Sequence, residues 1–106
     1  MTATGPEPRA VVSLRPDETA SLLKRGHDLI AAGDIASARL IFTLLAEAGV
    51  AEASFILAGT FDAAVLANLR TVGVQPDAAK ANAWYARAAK QGSLEAQRHL
   101  AQSAPR

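Results

Sequence analysis

Two histidines and ten carboxylates are the natural candidates for proton transfer or metal binding in this 106-residue chain, which contains no cysteine. Without cysteine there is no disulfide framework, no thiolate metal site and no thiol nucleophile. His27 and Asp28 are adjacent, but neighbouring residues on a helix point about 100° apart, so the carboxylate cannot orient the imidazole as a base. His27 flanks the apolar stripe of its segment and Asp28 lies near the solvent side. One imidazole without a second histidine or a carboxylate cluster is not a metal site. His99 precedes Leu100 in the last segment and reads as exposed. Glu52 and Glu95 fall in the first turns of their segments, where negative charge suits the helix dipole. No glycine-rich phosphate loop and no Gly-x-Ser-x-Gly elbow occurs. These patterns predict a non-enzymatic protein with no cofactor and no metal.

The elements that carry these residues follow from composition. Alanine accounts for 25 of the 106 residues, aromatics for 5%. Alanine has the highest helix propensity and lets helix axes approach closely, whereas sheets favour β-branched and aromatic side chains. No sustained apolar/polar alternation appears, so the fold class is all-α. No apolar stretch reaches the roughly 18 residues a membrane span requires. Met1–Pro16 holds three prolines and no apolar run of signal-peptide length, so a cytoplasmic location is expected. Breaks delimit the helices. The first runs from about Asp17 to Ala32, with Leu22, Leu23, Gly26, Leu29 and Ile30 in one stripe, and stops at Gly33. Asp34 caps Ile35–Ala48, which ends at Gly49. A third helix begins near Val50, a short one covers Ala63–Arg70, Asp77 caps Ala78–Gln91 before Gly92, and Ser93 caps a last helix to about Ser103.

The chain repeats itself. Shifted by 43 positions, Asp34–Ala58 falls on Asp77–Ala101 with nine identities in 25, among them Asp34/Asp77, Ala38/Ala81, Gly49/Gly92, Glu52/Glu95 and Leu57/Leu100. Phe42 falls on Tyr85. Upstream, Ala20-Ser21 and Gly26 match Ala53-Ser54 and Gly59 at an offset of 33, so ten extra residues lie between Asp62 and Gln75. Cap, stop and contact residues of one helix–turn–helix unit therefore recur.

The pattern Gly73-Val74-x-x-Asp77-x-x-Lys80-Ala81-x-x-Trp84-Tyr85-x-x-Ala88-Ala89-x-x-Gly92-x-x-x-Ala96 resembles the signature of the Sel-one-like repeat (SLR), a relative of the tetratricopeptide repeat (TPR). The earlier copy keeps Asp34, Ala38, Phe42, Ala46, Gly49, Ala53 and Leu57. It departs with Ile41 for the tryptophan, Ser37 for the lysine and Ala58 for a glycine. The resemblance covers roughly Ala20–Ala101 and implies a short α/α solenoid of about two repeats, in a family whose members act chiefly as scaffolds for other proteins or peptides. The expected layout is a flexible N-terminal arm over residues 1–16, units over about 17–49 and 50–92, and a last helix over 93–103.

Charge is uneven. Residues 1–77 carry six bases and nine acids, net −3, whereas 78–106 carry five bases and one acid, net +4. Lys80 and Arg87 share a face, with Lys90 beside them; without interleaved exposed aromatics this stripe is a poor nucleic-acid site. The expected partner is a protein or peptide, met by a first-helix face of Lys24, His27 and Asp28 and by Lys80, Arg87 and Lys90. The alternative is a structural module that homo-oligomerises, or docks within a larger assembly, through an uncovered flank near Ala20, because repeat stacks usually need three or more units. An N-terminal arm carrying Val11, Val12 and Leu14 is a further candidate to cover that flank.

Overall fold

The computed structural model describes residues 13–103, which form six helices and no strand. They are α1 (Pro16–Ala31), α2 (Ile35–Glu47), α3 (Ala51–Gly59), α4 (Ala63–Leu69), α5 (Ala78–Lys90) and α6 (Leu94–Ser103). The first helix starts one residue earlier than the sequence suggests because Pro16 takes the first helical position, where its missing N–H costs nothing. Glu18 accepts the Arg15 backbone N–H at 2.9 Å. Asp34 and Asp77 cap α2 and α5 from the N-cap position itself, accepting the N–H of Ser37 and of Lys80, each at 3.1 Å. Ser93 Oγ accepts the Ala96 N–H at 3.0 Å to open α6. At the other ends of α2 and α5, Gly49 and Gly92 take φ of +94° and +110°, a region that residues with a Cβ avoid.

Each long helix packs on its neighbour: α1 on α2, α2 on α3, α3 on α5 and α5 on α6, with α4 lying against α3. The core follows the expected small-residue positions Ala38, Ala46 and Ala81, but on α5 the buried residue of the alanine pair is Ala88, and Ala89 is half-buried. Ala38, Ala46 and Ala53 are buried with Phe42, Leu45 and Leu57 in one cluster, and Ala58, Ala81 and Tyr85 form a second. Trp84 and Phe61 pack against both. Of the described glycines Gly26 has the tightest surroundings: a Cβ there would stand 2.5 Å from Phe42 Cζ, so the ring lies on the α1 backbone. Burying such a ring stabilises the fold by about 1.5–3 kcal/mol. Gln91 joins three helices: its Nε2 donates to Ala46 O at 3.0 Å and its Oε1 accepts the Ser54 hydroxyl.

The ten extra residues form an excursion that carries α4. Its two ends meet where the Asp77 N–H donates to Phe61 O at 2.8 Å. Arg70 ends α4 in the left-handed region, the only residue besides glycine to do so among those described.

Surface character differs between the ends and the middle. On α1 the exposed residues are polar or small, including Lys24, Arg25, His27, Asp28 and Ala20. On α6, Leu94 is the single large apolar exception to a surface of Glu95, Gln97 and Arg98. By contrast α2, an internal helix, leaves Leu40 75% and Leu44 37% exposed. Leu14 packs against the first core cluster, while Val11 and Val12 lie outside the described residues.

Candidate interaction surface and polar cavity

The six residues expected to meet a partner fall into two separate groups. On α1, Lys24 Nζ and Asp28 Oδ2 pair at 2.9 Å with both side chains largely exposed. One turn of the same helix turns His27 edge-on to Phe42, with ring centroids 5.6 Å apart, and places its Nε2 3.8 Å from Glu52 Oε2. On α5, Lys80 stands 5.4 Å from the centroid of Phe61 and Arg87 stands 5.2 Å from that of Trp84. Arg87 and Lys90 occupy the last turn of α5, where positive charge complements the carbonyl end of the helix. The α1 group and the α5 group sit on helices that are not packing partners.

A second constellation joins residues that sequence reasoning did not bring together. The Tyr85 hydroxyl donates to Asp62 Oδ2 at 2.8 Å, while Asp62 Oδ1 accepts the Ala64 N–H at 2.9 Å. His99 stacks on Tyr85 with centroids 3.8 Å apart, and its Nε2 is 4.0 Å from Asp62 Oδ2. The expectation of an exposed His99 is thus corrected to a half-buried ring, because the α5–α6 packing lays it on the Tyr85 face. Burial first, then the adjacent Asp62 carboxylate, pushes the Tyr85 phenol well above its ordinary value, since both disfavour a phenolate. The three side chains border a cavity of about 480 Å³ whose other walls include Pro76, Ala78 and Asn82. One signal in the sequence could have found this cluster: at the 43-residue interval, His99 replaces Ile56 while Tyr85 replaces Phe42.

Arg39 fastens the excursion to α2. Its Nε donates to Thr60 Oγ1 at 3.2 Å, its Nη2 donates to the carbonyls of Thr60 and Gln75, and its guanidinium lies 3.9 Å from the Phe61 centroid. Burial lowers its pKa from the usual guanidinium value, an effect that the charge of Asp77 opposes.

Among the described residues, no group of three or more histidines and carboxylates is placed to hold a metal ion, and no single helix is long and apolar enough to cross a membrane. No family model, no curated protein and no solved structure matches the chain.

Proposed function

We propose that the chain is a short α/α solenoid of about two SLR/TPR-like repeats that acts as a non-enzymatic adaptor, holding a protein or peptide partner. Supporting the repeat reading, positions 43 apart play the same parts: Asp34 and Asp77 cap, Ala38 and Ala81 are buried, Gly49 and Gly92 turn the chain, and Ala53 and Ala96 pack without exposure. The functional reading rests on one contrast. Both terminal helices turn mostly polar surfaces outward, as the ends of a capped stack do, whereas internal α2 exposes Leu40 and Leu44 one turn apart. At the matching positions of α5 are Ala83 and Arg87, so the outer faces of the two helices offer an apolar half and a basic half.

Site-specific photo-cross-linking in the source cell tests this reading. A benzophenone side chain at position 40 is expected to trap a second, different protein, and one at Ser21 on the polar face of α1 is not. An adduct of two copies of this chain formed from position 21, beside Ala20, would instead establish the self-associating alternative. Equal trapping from both positions would overturn both.

A further inference from the structure

The geometry points to the cavity beside Asp62, Tyr85 and His99 as a binding site for a primary alkylammonium group, a function separate from the Leu40–Leu44 face. The two copies of the helix pair differ here in one direction. Phe42 and Ile56 pack in an apolar cluster in the first, and their counterparts 43 residues on are Tyr85 and His99. Polar groups at inward positions cost stability unless partnered. Tyr85 has its partner in Asp62, a residue supplied by the excursion that the first helix pair lacks. Among the described residues His99 finds no such partner: its Nε2 faces the same carboxylate across 4.0 Å, beyond hydrogen-bond reach.

That gap has the dimension of a shared donor. A nitrogen ~2.9 Å from each of two acceptors 4.0 Å apart makes its two hydrogen bonds at about 90°, which the tetrahedral N–H groups of an ammonium ion reach with each bond bent by about 10°. An imidazole nitrogen that carries no hydrogen is an acceptor, and Nε2 is the His99 atom that faces the gap. A carboxylate oxygen accepts more than one hydrogen bond, so Asp62 Oδ2 retains capacity beside the Tyr85 hydroxyl. Asn82 and Ser103 line the same cavity and provide oxygen acceptors for a third N–H. Among the described residues no lysine or arginine lines it, and Asp62 is the one carboxylate on the wall. Ala64, Ala78 and Pro76 complete the lining with small apolar surfaces suited to a methylene stem. Their spacing leaves about 480 Å³, ample for a lysine-sized chain.

The ammonium could be carried by a lysine side chain of another protein or by a free diamine, and the test separates these sources. The intact ¹⁵N-labelled chain is titrated with Nα-acetyl-lysine methylamide and with 1,5-diaminopentane while its amide spectrum is followed. The Nε-acetylated lysine derivative serves as the uncharged control. Saturable shifts centred on Asp62, Asn82 and His99 are expected with at least one charged probe, weakened tenfold or more by acetylation. Saturation by the lysine derivative identifies a protein side chain as the source; saturation by the diamine alone identifies a free amine. Asp62→Asn should weaken binding at least tenfold, since asparagine can still cap α4 and accept from Tyr85 but carries no charge. Ala78→Leu should block the stem without changing charge, and Leu40→Asp should leave amine binding as it was. No saturable shift with either charged probe, equal binding of the acetylated control, or unchanged binding in both Asp62→Asn and Ala78→Leu would overturn the assignment.

Discussion

Phe42 and Tyr85 occupy the same step of two helix pairs 43 residues apart, yet their surroundings have diverged. The Phe42 ring is pressed against the backbone at Gly26 and sealed among Leu45, Ala46 and Leu57. Tyr85 is equally buried, but its hydroxyl reaches a carboxylate from the excursion and its face carries an imidazole. The same difference runs along the later helices. Leu57 is buried against α2 and Ala58 against α5, whereas Leu100 is only half-buried and Ala101 is exposed on α6. A shared frame of caps, glycines and alanines therefore supports two kinds of interior, one closed and apolar, the other polar and opening into a cavity.

Exchanging the two rings should break this comparison most sharply. In Phe42→Tyr the new hydroxyl is attached to the atom already nearest Gly26, so it meets backbone and leaves a polar group unpaired; a loss of about 3 kcal/mol is expected. Tyr85→Phe removes one donor from a carboxylate that keeps its bond to Ala64 and some solvent, at about 1–2 kcal/mol. Urea unfolding measures both, and equal losses would mean that the two interiors are not distinct. Alkaline titration adds a second reading, because Tyr85 is the only tyrosine. Its folded pKa is raised, so the folded chain keeps the proton where the unfolded chain, with an ordinary value of 10.0, loses it. The Tyr85 contribution is present in full below that pH and declines as pH rises above it. The phenolate absorbance should therefore appear later in folded than in unfolded protein, and Tyr85→Phe should remove this tyrosine-dependent part of the alkaline decline.

The frame was legible in the sequence for a physical reason. Asp34, Asp77 and Ser93 act on N–H groups three residues away, and Gly49 and Gly92 act on their own backbone, so a short window holds the whole interaction. Asp62 has only part of its chemistry in such a window. Its cap to Ala64 is local, but its partners Tyr85 and His99 lie 23 and 37 positions on, brought near by α3–α5 and α5–α6 packing. Arg39 is similar: its bonds to Thr60 and Gln75 depend on how the excursion folds back. The face of Lys24, His27 and Asp28 and the stripe of Lys80, Arg87 and Lys90 were readable as exposed charge, but their separation on α1 and α5 depends on the order of packing.

The two glycines that match at an offset of 33 give a smaller contrast. Gly26→Ala drives a methyl group into a buried ring held on several sides, and about 2 kcal/mol of stability should be lost. Gly59→Ala meets only the Val65 side chain, nearest at Cγ1 3.5 Å away, an ordinary contact, and gains helix propensity of up to about 1 kcal/mol. Opposite signs in thermal or urea unfolding are expected. Two losses of equal size would show that α3 approaches its neighbours as closely as α1 does.

The smallest expected effect distinguishes the two caps. Asp34 and Asp77 accept equivalent backbone bonds, but position 37 carries a serine hydroxyl and position 80 a lysine. The Ser37 side chain first, then its backbone N–H, holds the Asp34 carboxyl below its ordinary 3.8. A folded pKa lowered in this way favours the ionised carboxylate in the native state. The contribution is present in full above the unfolded value and is lost as pH falls through 3.8 and then through the lower folded value. Stability measured from neutral pH into this range should therefore fall less steeply in Asp34→Asn, which caps without titrating. Because Asp34 is at the surface, added salt should leave the hydrogen-bonded part of the effect largely intact while screening any longer-range charge term. Ser37→Ala should shift the Asp34 titration upward; an unchanged titration would remove the hydroxyl as the cause of the lowered value.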